Sequence, residues 1–155
     1  MTYELIKLVH VLSGAVLFGT GAGIAFFMLR AHATRDAAIV AAVGRIVILA
    51  DLVFTATAVV IQPISGVMLI ASQGYSLTEP WLMAAYGLYL LTGLCWLPVV
   101  RIQIRLKDLA EEAVAAGLPL PDSYFRLYRW WFGLGWPAFS AVLGIYWLMI
   151  AKPVF

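Results

Sequence analysis

YELIKLVHVLSGAVLFGTGAG, Tyr3–Gly23, decides the fold. Glu4, Lys7 and His10 stand three residues apart, and beyond His10 the chain is almost wholly apolar and rich in glycine as far as Leu29. A transmembrane helix takes about 20 mostly apolar residues, and the stretch from Leu5 to Leu29 supplies them. The sequence AHA at Ala31–Ala33 has the look of a cleavage site. However, Glu4 lies beside Lys7 in the leading segment, and the apolar run exceeds the roughly 7–15 residues of a signal-peptide core. The first segment therefore reads as a permanent helix.

The rest of the chain agrees. Of 155 residues, 64% are hydrophobic and 12% charged, against roughly 45–50% and 25% in soluble domains. So much apolar surface needs lipid as its solvent. Net charge is +2, without the basic run that tracks nucleic acid. Cys95 is the single cysteine, so no internal disulfide forms.

Three further stretches have spanning length, giving spans at about 5–29, 51–72, 81–100 and 130–151. The apolar run Ile39–Ser72 is too long for one crossing, because 34 helical residues reach roughly 50 Å. Its leading part, with Arg45, is expected to project into water. Arg30, Arg35 and Arg45 fall in the first connection, and Arg101, Arg105, Lys107, Arg126 and Arg129 in the third. Only Lys7 and Lys152 remain for the other side, so both termini are expected outside and both basic connections in the cytoplasm. Gly117, Pro119 and Pro121 should end a cytoplasmic extension of the third helix. The expected fold is an all-α, antiparallel four-helix transmembrane bundle, one domain over residues 1–155.

His10 shares a helical stripe with Gly14, Leu17 and Gly21. Gly14, one turn deeper, leaves a flat space beside the ring in which a planar macrocycle could lie. An ionisable residue inside a membrane is a candidate functional site; the plainer reading is a histidine near the interface, bonded to water or to Glu4. His32 lies about 33 Å further along a helix, so the two histidines cannot sandwich one haem, and His32 reads as solvated. The outer ends of the other helices bring Met68, Met83 and Met149 to the same third of the bundle. His with Met is an axial set for haem iron, and His with several thioethers suits Cu(I); methionine also simply fills gaps.

Asp51, Thr55 and Gln62 fall on one stripe of the second helix, with Pro63 freeing a carbonyl beside it. They form either a polar track or, for Asp51, an interfacial carboxylate paired with Arg45 or Arg101. Ala15, Gly19 and Gly23 recur every four residues, the pattern that lets helices approach closely in lipid. The sequence holds no Walker loop, GxSxG, HExxH or paired-cysteine motif.

KLVHVLSGAVLFGTGAG at Lys7–Gly23, the Pro80–Trp81 pair, WLPVVRIQIRLKDLA at Trp96–Ala110 and YRWWFGLGWPAFSAVLGIYWLMIAKP at Tyr128–Pro153 resemble a family of small bacterial integral membrane proteins with no assigned activity. More distantly, the first segment is similar to HemJ-type protoporphyrinogen oxidases and CopD-type copper-resistance membrane proteins. The first resemblance implies haem b on His10; the second implies copper on His10 and the outer methionines. The HemJ-type pattern has a lysine four residues after the tryptophan of helix three, where this chain has Ala85.

The working expectation, adopted because it names residues and can fail, is a haem b-binding redox protein of the bacterial inner membrane. His10 is its proximal ligand, Gly14 the flat surface, and Met83 or Met149 the occupant of the second position unless that stays open. The alternatives are a Cu(I)-handling protein and a non-catalytic structural or accessory protein. A homodimer through Gly19 and Gly23 is expected, and no reaction is assigned.

Overall fold

The computed structural model describes residues 2–153. Among them there are four long helices and no strand: α1 (Thr2–Thr34), α2 (Ala37–Gln73), α3 (Pro80–Ala116) and α4 (Asp122–Ala151). All four are long and apolar enough to cross a membrane, with mean hydropathy reaching 2.3 in α2.

Local chemistry sets the ends. Arg35 turns the chain with φ +55°, and Asp36 caps α2 by accepting from the amides of Ala38 and Ile39 at 2.8 and 3.1 Å. Gly74 (φ +71°) closes α2 and Gly117 (φ +65°) closes α3, each in the left-handed region that costs glycine nothing. Behind them the Tyr75 amide donates to Ile70 O and the Leu118 amide to Ala113 O. Pro121 then stands directly before α4. Arg126 and Arg129, expected in a connection, therefore ride on the first turns of α4.

Helix α2 runs unbroken through the expected water–lipid boundary. At Asp51–Thr55 it widens into a π turn, marked by the Ala56 amide donating to Asp51 O. Its exposed apolar side chains start with Ile39 and become frequent from Ile46 and Leu49 onward. Helix α4 continues through Pro137.

Helices α1 and α2 pair along their length, α3 and α4 form a comparably extensive pair, and the first half of α2 joins the two pairs by packing on α3. The core is divided. One cluster, including Met28, Val40, Val47, Leu106, Ala110 and Tyr124, fills the end that carries most of the arginines, the basic end. A smaller one, with Ile70, Trp81, Leu82, Ala85 and Leu148, closes the end that carries the termini. Between them large apolar side chains such as Leu12, Val60, Leu94 and Leu143 face outward, as lipid requires.

Helices α2 and α3 are clasped at the basic end. A Cβ on Gly44 would lie 3.0 Å from Lys107 Cβ, so the two helices nearly touch there. Arg45 reaches Glu111 at 2.8 Å, and Lys107 reaches the same carboxylate at 3.1 Å. Together they hold the Glu111 carboxyl below the usual carboxylate range.

Candidate functional site

His10 does not point at Glu4. Its Nδ1 lies 2.9 Å from Ser65 Oγ on α2. The Ser65 hydroxyl donates to Ile61 O at 2.7 Å, so toward the imidazole its oxygen acts as acceptor. That assigns the proton to Nδ1 and leaves Nε2 with its lone pair. The ring lies against Gly66, where a Cβ would stand in ordinary van der Waals contact, 3.4 Å from His10 Cε1. The backbone is tied as well, since Gln62 Nε2 donates to His10 O at 3.0 Å and Ser13 Oγ donates to the same oxygen at 3.1 Å.

The space over Gly14 is not a free slot. A Cβ on Gly14 would meet Gln62 Nε2 at 2.6 Å and Tyr146 Oη at 3.1 Å. The missing side chain admits a three-helix crossing instead, closed by Phe18 of α1 against Phe139 and Tyr146 of α4.

Nor are the methionines assembled around His10. Met83 is 54% exposed, on a helix that α1 hardly approaches, and Met68 is also exposed. Met149 packs on the Trp81–Leu82–Leu148 cluster. Among the described residues, no group of three His, Cys, Asp or Glu side chains is placed to hold a metal.

His32 is not solvated. Its ring stacks on Tyr128 with centroids 3.5 Å apart and planes 2° from parallel, and Nδ1 lies 3.4 Å from Tyr124 Oη. An aromatic shelf at the start of α4 therefore receives the end of α1.

The polar track divides. Gln62 turns to α1, whereas Asp51, with Thr55 beside its carboxylate, reaches α3, where Trp96 Nε1 lies 3.5 Å from Asp51 Oδ1 and Gln103 adjoins the carboxylate. The physical reason is the π turn: one extra residue in a turn rotates all that follows by about 100°, so positions eleven apart leave their common face. Arg45 does not pair with Asp51, being held by Glu111. Pro63 does free the carbonyl four residues back, and Tyr89 Oη donates to that Val59 oxygen at 2.5 Å.

Sequence reasoning singled out neither Ser65 nor Gln103. Ser65 follows Gln62 by three positions, which places it one turn on, beside the same neighbouring helix; Gln103 is the uncharged polar residue between Arg101 and Arg105. Either could have been found by asking where His10 and Asp51 send their hydrogen bonds.

The model of a family described as predicted integral membrane proteins, DUF2269, matches residues 4–153. The chain belongs to the DUF2269 family. The match takes in all four helices and both polar groups around His10 and Asp51. No curated protein and no solved structure matches the chain. For this DUF2269 chain the architecture is thus an integral, multi-pass helical membrane protein, and the comparisons do not show the HemJ-type or CopD-type similarity.

Proposed function

We propose that this chain binds haem b in the bacterial inner membrane, with Nε2 of His10 as the single protein ligand. The observation that supports this is the hydrogen bond from His10 Nδ1 to Ser65. A histidine that ligates a metal through Nε2 is held in that tautomer by a partner on Nδ1, which also raises its basicity. Ser65 is such a partner, fixed in turn by Ile61 O. The donor chemistry fits haem iron; the Gly14 surface, taken by Gln62 and Tyr146, has no part in it. Since Met83 and Met149 stand elsewhere, the sixth position of the iron would be open, which suits binding of a small ligand or substrate more than electron transfer. The basic end faces the cytoplasm by the charge rule, which puts His10 near the outer surface.

The test is an absorbance spectrum of the detergent-purified protein from haem-supplied cells, oxidised and dithionite-reduced. A Soret band absent in His10→Ala, and weakened in Ser65→Ala, is the expected result. A flat wild-type spectrum, or one that His10→Ala leaves intact, would sink the reading. The Cu(I) alternative draws no support from the methionines, which are spread over two helix ends and the lipid face.

One observation favours a structural or accessory role beside this. Ala15 and Gly19 are exposed, and nothing lies within 4 Å of a Cβ added at Gly19. The small-residue stripe therefore looks out of the bundle, as a surface for a second copy would. Gly19→Ile should abolish the dimer seen by crosslinking in liposomes while leaving the melting of the monomer unchanged. Equal crosslinking in both would remove the dimer.

A further inference from the structure

We propose that Asp51, Thr55 and Gln103 form a binding site for one monovalent cation, Na+ being the ion that their chemistry suits. The site is separate from His10 and stands whether or not haem is bound. Asp51 is 5% exposed and lies at the π turn of α2, close to where the lipid-facing surface begins. Among the described residues no lysine, arginine or histidine pairs with it, and Arg45 is committed to Glu111. An ionised carboxylate so placed demands a counter-charge.

Two further oxygens point to what supplies it. Thr55 Oγ1 and Gln103 Oε1 are buried and no donor reaches either oxygen, in side chains only 6% and 1% exposed. Both residues adjoin the Asp51 carboxylate. Buried acceptors are nearly always satisfied, so two orphans beside an unpaired acid need one explanation. A hard cation gives it, since such ions take oxygen ligands from carboxylate, hydroxyl and amide carbonyl alike.

Charge balance selects the valence. One carboxylate neutralises one positive charge, and the side chains at the Asp51 carboxylate, Thr55, Trp96 and Gln103, are all neutral. A divalent ion would leave net positive charge in a low-dielectric place, whereas Na+ leaves none. Carbonyls of the widened turn and water complete the shell, and π turns recur at functional sites. Trp96 Nε1, at 3.5 Å, positions the carboxylate from the side.

The experiment follows thermal unfolding of the full chain in detergent, titrating NaCl against choline chloride at constant ionic strength. Wild type should gain melting temperature saturably with Na+, as any ligand of the folded state produces. Asp51→Asn should lose the response. Thr55→Val, which keeps the carboxylate, should raise the half-saturating Na+ concentration about tenfold, the effect of one lost charge-assisted contact. Identical melting of wild type in the two salts would overturn the site, as would a full Na+ response in Asp51→Asn. Melting that ignores Na+ but rises as pH falls would also overturn it, making Asp51 a protonated hydrogen-bond donor to Gln103. If Asp51→Asn does not fold, Thr55→Val decides: an unchanged half-saturating concentration rejects the proposal.

Discussion

Leu106→Ala is expected to lower the unfolding free energy by about 2–5 kcal/mol, the range for emptying a buried leucine site. Leu106 is fully buried in the cluster that also holds Val40, Val47 and Tyr124. It lies past Arg101 and Arg105, in the part of α3 that the charge pattern predicts to leave the lipid. This location sets the magnitude. Within a bilayer, separating two apolar helices exposes them only to tails as apolar as themselves; at the basic end, separation exposes leucine to water, and the full transfer term applies. The cavity term adds to it, because all four helices contribute to that cluster and cannot all close in. Urea unfolding in nanodiscs, followed by tryptophan fluorescence, measures the loss as a lower midpoint with unchanged slope. Leu94→Ala, at an exposed lipid-facing position, is the matched control and should barely move the midpoint. Equal effects at the two positions would refute the idea that the basic end is a water-facing core.

Gly44→Leu should be the other severe substitution, costing about 1–3 kcal/mol from overpacking alone. The Cβ would meet Lys107 Cβ at 3.0 Å, Cγ at 3.2 Å and the backbone Cα at 3.5 Å. The base of a side chain cannot swing away as its tip can, so relief requires the two helices to part. Parting them also pulls Arg45 from Glu111. The expected signature is a lower urea midpoint together with faster amide exchange along Ala37–Ala50 and near Lys107. A leucine at Gly19 meets nothing within 4 Å and should leave exchange untouched. If Gly44→Leu behaves like the Gly19 substitution, the close approach of α2 and α3 is wrong.

The helices were legible because lipid imposes a simple rule: long apolar runs with glycine and proline at their ends. Gly74, Gly117 and Pro121 bound the helices as their chemistry demands, and Pro63 frees the carbonyl that Tyr89 takes. What stayed hidden depends on rotation and on partners. The π turn leaves no mark in the apolar pattern around Asp51, yet it decides that Gln62 meets α1 while Asp51 meets α3. Likewise, spacing sets Gly14 one turn from His10 along α1, but the space over it is filled from 48 and 132 residues away, by Gln62 and Tyr146. His32 looked free because its partners, Tyr124 and Tyr128, belong to a helix whose first two turns are not apolar enough to announce themselves.

The divided core means that the molecule is held together in two solvents. A denaturant dissolved in water attacks the cluster around Leu106 and Tyr124, whereas a detergent that competes with lipid attacks the crossing of Gly14, Gln62 and Tyr146. Cooperativity between the two has to pass along the helices that thread both, α2 above all, and α2 is widened just where they meet. The chain thus carries two strengths rather than one, and a single melting point describes whichever end the experimenter's solvent reaches first.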